Sequence, residues 1–512
     1  MAFGLLRRRR TVPAKDGASW PHVVIIGGGF AGANAVLGLR DTRVRVTLID
    51  RNLYKTFQPL LYQVATAGLN PGDVTMMLRS LSLTVPNMRY RQGEVVGVDP
   101  TARTVRIDGG EERLTEIPYD YLVLAGGATT TFFGTPGAEE HAMPMYTRSQ
   151  ALAIRERLFS ELERASREAP ATLATDPAAV GTAAAAASAL GAAPSPAGAS
   201  STGNDGADGR RATAGHRHTF TQNRTVDRLH VSVVGGGPTG VEIAGALADF
   251  RQQELDILYP EMDPGTLQVT LVQRGTELIK EFRPSFRAYA ARELRSRGVE
   301  LRLGHGVKSV GYDHIELDDG TILESDITIW AAGVAIPESV TAWGFPQDRR
   351  GRIDVDDTLQ VKGFPGVYAA GDMAGGDNAQ PQLAQPAIQT GSWVAKMIHA
   401  DVTGGPKRPF RYVNLGTMAT IGRRAAIAEI PHFPDLSGSV GWMAWMGVHV
   451  GKLLGHRNRR AVAMNLLSLY GGTRATHQPN PVIGEVDSIS AARRFRAEAA
   501  NRRFGEGAGG AL

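Results

Sequence analysis

His22-Val-Val-Ile-Ile-Gly-Gly-Gly-Phe-Ala-Gly32, an alanine-rich stretch, and then Val44-Arg-Val-Thr-Leu-Ile-Asp50 decide the fold. Five β-type residues run into Gly27, Gly29 and Gly32, a helical pattern opens at once, and a second apolar run ends on an acid about twenty positions later. The glycines permit a tight turn and close backbone approach, and the helix start presents free N–H groups and a positive dipole to a pyrophosphate. Asp50 would accept hydrogen bonds from an adenosine ribose. The stretch reads as a βαβ dinucleotide-binding unit.

The unit occurs a second time. Leu229-His-Val-Ser-Val-Val234 leads into Gly235, Gly237 and Gly240, a long helical stretch, and the strand Gln268-Val-Thr-Leu-Val-Gln273. Two such sites call for two dinucleotides, one a resident carrier and one a donor. At the second ribose position Gln273 stands where a carboxylate is expected, and Arg274 follows. Without the negative charge a 2′-phosphate meets no repulsion and Arg274 is placed to pair with one; equally, Gln273 can bond an NADH ribose while Arg274 points to solvent. Both NADH and NADPH stay open. Further apolar strands end at glycine turns in Tyr121–Gly126, in Ile327–Gly333 and in Gly366–Asp372, so the fold class is α/β, with two Rossmann-like, doubly wound domains. Gly333 joins the candidate cofactor residues, and Asp372 alone would be an ordinary turn residue.

At 512 residues the chain exceeds one ordinary core. Its lack of cysteine excludes disulfides, thiolate nucleophiles, iron–sulfur clusters and cysteine-ligated zinc, so redox chemistry needs a bound cofactor. Arginines bunch at Arg7–Arg10, Arg457–Arg460 and Arg493–Arg503, which suits a phospholipid surface or simply solvated tails; no nucleic-acid-binding signature accompanies them. No secretory or twin-arginine signal and no spanning apolar run is read, which predicts a cytoplasmic, soluble or peripheral protein. From about 165 to 224 the sequence is alanine, glycine, serine, proline and threonine with few large apolar residues, a disordered surface insertion in which His216 and His218 receive no role. No metal site is expected. The domain reading is 20–146 and 346–410 for the first nucleotide, 147–345 for the second, 411–485 for a C-terminal region, and basic tails at 1–19 and 486–512.

Phe57-Gln-Pro-Leu-Leu-Tyr-Gln-Val-Ala-Thr66, Gly235-Gly-Gly-Pro-Thr-Gly-Val-Glu242 and Ala384-Gln-Pro-Ala-Ile-Gln389 together resemble the signatures of type II NADH dehydrogenases, within the two-dinucleotide-domain flavoprotein reductases. The resemblance runs from about residue 20 to 470. It implies FAD on the first unit, with Gly371-Asp372 at its ribityl chain, and NADH or NADPH on the second. It further implies quinone approaching the flavin beside Gln385 and Gln389, proton handling by Glu242, and attachment of the C-terminal region to the cytoplasmic face of a membrane. Physically, Pro386 suits a first helical turn, and Gln385 and Gln389 lie four apart on one face, where amides can donate to quinone carbonyls. Glu242 near a helix start is also favoured by the dipole whatever its function.

Gly441–Val450 and Ala461–Leu469 read as short apolar helices separated by a basic break at His456–Arg460 and edged by tryptophan and arginine, suited to interfacial insertion, to a homodimer face or to an internal core. The second helix lacks tryptophan and the chain diverges after Tyr470, which puts the strength of attachment in doubt. Two other readings remain at this stage: a soluble flavoprotein reductase serving a small redox protein or oxygen, and a flavin-based redox sensor.

Overall fold

The computed structural model describes residues 19–109, 114–168, 228–377, 379–453 and 455–471. The basic stretches Arg7–Arg10 and Arg493–Arg503, the histidines 216 and 218, and all but the first four residues of the 165–224 stretch lie outside the described residues. Those four complete the helix Arg148–Glu168, whose Ala165 is buried.

Two five-stranded parallel sheets carry the molecule. The first runs in the order Val367–Ala369, Tyr121–Leu124, His22–Ile26, Arg45–Asp50, Met88–Gln92. The second runs Ala142–Pro144, Ile327–Trp330, Leu229–Val234, Leu267–Gln273, Val299–Leu303. Each places the strand that precedes its glycine turn at the centre. Both faces of such a strand are covered, so the sequence is β-branched throughout rather than alternating: Val23, Val24 and Ile25 are wholly buried.

Helix Phe30–Gly38 packs against helix Ala384–Thr403 so closely that a Cβ on Gly391 would sit 2.1 Å from the Ala31 carbonyl oxygen. Helix Pro238–Gln253 packs instead on an antiparallel sheet of Thr417–Gly422, Ala425–Glu429 and Leu436–Ser437, where Gly245 gives the room: a Cβ there would lie 1.9 Å from the Ile421 carbonyl oxygen. Helices Gly438–Lys452 and His456–Gly471 follow. Trp445, Val462 and Leu466 from them join Phe57, Leu60, Leu61 and Tyr62 in the core of the second sheet. Among the described residues no helix is long and apolar enough to cross a membrane.

The C-terminal region corrects one expectation and decides another between its alternatives. His456–Arg460 is not a break but the opening of the second helix; the interruption is at Leu453–Gly455, where Gly455 takes φ +87° and Arg459 Nε donates to the Leu453 carbonyl. Trp445 does not edge an inserting face either. It is 2% exposed, stacked on His449 with ring centroids 4.2 Å apart and tilted against Tyr62. Buried aromatic area is worth more against neighbouring rings than at a polar boundary.

Candidate functional site

The two glycine turns repeat each other contact by contact. Gly27 (φ +96°) and Gly235 (φ +114°) take a backbone conformation closed to residues with a Cβ. Their N–H groups donate across to the next strand, to Ile49 at 2.8 Å and to Val272 at 2.9 Å. A Cβ on Gly32 would fall 1.8 Å from the Gly27 carbonyl oxygen, and one on Gly240 would fall 1.8 Å from that of Gly235. The middle glycines differ from these: a Cβ on Gly29 or Gly237 would meet nothing within 4 Å. No protein neighbour demands their smallness, which is what a site for a ligand backbone requires. Both are N-caps without a side-chain cap, so the first N–H groups of each helix are left for an anion. The residues fit a dinucleotide pyrophosphate in each unit.

The strand ends also match. Asp50 Oδ2 accepts from the Gly28 N–H at 2.6 Å and its Oδ1 from the Asn52 N–H at 2.7 Å. Burial raises its pKa, and those two N–H groups oppose the rise. Gln273 Oε1 accepts from the Gly236 N–H at 2.9 Å, so glutamine occupies the acceptor role of the carboxylate without its charge. Arg274 is exposed. A Cβ on Gly306 would lie 3.0 Å from both its Nε and Asp318 Oδ2, so guanidinium and carboxylate border the same glycine without forming an ion pair. His305, with Asp318 at 3.7 Å and Asp319 at 3.3 Å, completes this surface group.

Within the first unit, Gly371 (φ +68°) is wedged against the first turns of two helices, a Cβ there lying 3.0 Å from Ala31 Cβ and 3.4 Å from Ala387 Cβ. Its N–H donates to Thr390 Oγ1 at 2.9 Å. Asp372 follows, accepting from the Tyr146 hydroxyl at 3.5 Å, with its carboxyl pushed up to about 6 by burial. Gly333 (φ +102°) faces the Phe133 ring.

Gln385 and Gln389 sit at the uncapped start of helix Ala384–Thr403, and their amides are used differently. Gln389 clamps the main chain of Val413: its Nε2 donates to the Val413 carbonyl at 2.9 Å and its Oε1 accepts the Val413 N–H at 3.0 Å. Gln385 is half-buried with no hydrogen bond among the described residues. Glu242 is half-buried in helix Pro238–Gln253, 3.5 Å from the Thr420 N–H, and burial pushes its carboxyl up to about 8.

Sequence reasoning missed Lys55, Tyr146 and Thr390. Lys55 is 7% exposed, with Nζ 4.2 Å from the Phe30 ring centroid, and burial lowers its pKa to about 8. Its only signal was a lysine between Tyr54 and Phe57 in an otherwise apolar motif. From Phe30 an edge-on aromatic chain continues through Phe57 (5.8 Å) to His449 (6.2 Å), tying the first glycine turn to the C-terminal helices. Burial lowers the His449 pKa to about 4, and its Nδ1–H donates to the Trp445 carbonyl at 2.7 Å.

Two dinucleotide-type glycine turns, in a chain without cysteine, are the framework of a two-nucleotide oxidoreductase. Residues 21–166 and 182–391 match the family described as pyridine nucleotide-disulphide oxidoreductase, and residues 414–470 match the NDH2 C-terminal domain. The chain is 32% identical over 453 residues to the type II NADH:quinone oxidoreductase NdhA of Mycobacterium tuberculosis, with 86% of this chain and 85% of that protein covered. It is 26% identical to the type II NADH:quinone oxidoreductase of Haemophilus influenzae, covering 80% and 87% respectively. Among solved structures, NDH2 of Plasmodium falciparum in complex with NADH shares the fold, at TM-score 0.72 and 20% identity over 91% of this chain and all of that one. The chain belongs to the type II NADH:quinone oxidoreductases, FAD-dependent enzymes that pass electrons from NADH to quinone without pumping protons.

Proposed function

We propose that the first unit keeps FAD while the second takes NADH only for the time of hydride transfer, and that quinone is then reduced beside Gln385. The observation that carries this is the unpartnered Gln385 amide, at an uncapped helix start whose first turn touches Gly371. Bound FAD supplies a two-electron carrier that accepts hydride and releases electrons to quinone. The chain's residues supply position and charge. Gln385 donates to a quinone carbonyl; the helix start adds positive potential where negative charge collects. Glu242, protonated at neutral pH, holds a proton that the quinone can take. Gln389 fixes the 411–416 loop, and Asp372 with Tyr146 holds the ribityl end.

NADH is the preferred donor. Arg274 has a carboxylate neighbour in Asp318, with Asp319 nearby, so a 2′-phosphate there would meet negative charge as well as positive. For the membrane, helices Gly438–Lys452 and His456–Gly471 expose Met443, Met464 and Leu467, each more than half accessible, and we assign this face to peripheral contact with the cytoplasmic leaflet. Steady-state turnover with NADH and NADPH against a short-chain quinone tests the reaction. Flotation with phospholipid vesicles tests the attachment, and a protein that stays unbound and dimeric would give the apolar face to a second copy instead.

A further inference from the structure

Lys55 is the one buried lysine among the described residues, and it has neither a carboxylate nor a hydrogen-bond acceptor there. The Phe30 ring face beneath it returns far less than the water it has lost. Phe30 is also the first residue of helix Phe30–Gly38, whose N–H groups have no side-chain cap and whose first turn carries no acid. A buried, uncompensated ammonium thus lies against the side chain of the first residue of a helix whose own N–H groups lack a cap. At the second unit Pro238 opens the helix, and the buried cation there is Arg155 of helix Arg148–Glu168, not a lysine beside the glycine turn.

We propose that Lys55 is a cofactor-binding residue whose ammonium is the countercharge to the pyrophosphate of FAD at the start of helix Phe30–Gly38. This rests on FAD occupying the first unit. It gives that unit the retention a resident cofactor needs, while the second, without a buried lysine among the described residues, releases its nucleotide after each hydride transfer. The chemistry recognised is an anion, and FAD offers two: the pyrophosphate at all times, and the isoalloxazine ring when reduced.

The test uses the full-length chain as wild type, K55M and K55R. Flavin retention through gel filtration is measured first, followed by FAD and ADP affinities after stripping, melting of the flavin-free proteins, and the flavin midpoint potential. K55M should weaken FAD and ADP alike by roughly tenfold to a hundredfold, the range of one charge-assisted hydrogen bond, and K55R should restore most of it. Flavin-free K55M should melt above flavin-free wild type, because an uncompensated buried charge is gone; a merely structural lysine would do the reverse. Unchanged FAD and ADP affinities overturn the proposal. So does unchanged ADP affinity with a shifted potential, which places the charge at the isoalloxazine. A wild-type chain that binds no FAD removes the reading of the first unit and this proposal with it.

Discussion

The first and second glycine turns have the same backbone and different surroundings, and on the assignment proposed above the difference separates a cofactor that stays from one that leaves. In both, the outer glycines are forced by the protein itself, through a positive φ and a 1.8 Å approach, whereas the middle glycine faces open space. The first adds a carboxylate at the strand end, a buried lysine, and a helix packed against Ala384–Thr403. The second offers a neutral glutamine and an exposed arginine. One architecture thus serves two residence times through a few side chains around an unchanged turn.

The largest break comes from the forced glycines. Gly32→Ala places a methyl group 1.8 Å from a backbone oxygen that cannot move without opening the turn. The cost should reach about 3 kcal/mol or more, and the purified protein should be colourless and poorly stable. Gly240→Ala creates the same overlap in the other unit. It should keep its flavin, yet fail to bleach on NADH addition in stopped flow. If both variants lose flavin equally, the two units are not assigned as described.

Gln385→Leu should come next. Its amide has no hydrogen-bond partner among the described residues, so removal leaves the melting temperature nearly unchanged while slowing flavin reoxidation by quinone by about tenfold to a hundredfold, the scale of a lost transition-state donor. Flavin reduction by NADH should be untouched. Gln389→Leu should behave oppositely: two hydrogen bonds to Val413 vanish, at about 1 kcal/mol each, lowering the melting temperature and raising the quinone KM more than it lowers kcat. Equal phenotypes for the two glutamines would dissolve the distinction drawn from their hydrogen bonds.

That distinction was invisible in the sequence. The spacing put both amides on one helix face, correctly, because helix periodicity is local; it carried no information about Val413, 24 residues on, or about Tyr146 reaching Asp372 across 226 residues. The βαβ units, the paired glycine turns and Asp50 were legible for the same reason, since each is written within a few tens of consecutive residues. The sequence left interface and internal core both open for Trp445; it could not choose the core because Tyr62, and the Phe57 that meets its local stacking partner His449, come from the far end of the chain. Lys55 escaped because a cation among aromatics declares itself only when its lack of a carboxylate is seen.

Glu242 sharpens the second unit through pH. Its carboxyl stands at about 8 instead of an ordinary 4.5 because burial disfavours the charged form. The folded protein therefore holds a proton that the unfolded chain gives up. The stability this contributes is complete below about pH 4.5 and is lost as pH rises to about 8. Glu242→Gln keeps the neutral shape and cannot ionise, so the melting temperature of the variant should decline less than that of wild type across this window. Wild-type quinone turnover should show an alkaline limb near pH 8, and the variant should lose it. Parallel melting curves would mean that Glu242 is charged in the folded protein at neutral pH.

The smallest expected effect makes the second strand end like the first. Gln273→Glu preserves the oxygen that accepts the Gly236 N–H, and Asp50 already demonstrates that a carboxylate is accommodated there, bonded to Gly28 at 2.6 Å. What changes is one negative charge beside the adenosine ribose. NADH activity should hold or rise, since a carboxylate accepts hydrogen bonds from ribose hydroxyls better than an amide. NADPH activity, if measurable in wild type, should fall by about tenfold, because like charges would stand in partial burial. Asp318→Asn works in the other direction by freeing Arg274 from its carboxylate neighbour, and should raise NADPH activity a few-fold. Arg274→Ala should then cancel that gain in the double variant, since the gain runs through the guanidinium. If the ratio of kcat/KM for the two donors is the same in all of these proteins, the adenosine end is read elsewhere, and the contrast between Asp50 and Gln273 has no part in choosing the nucleotide.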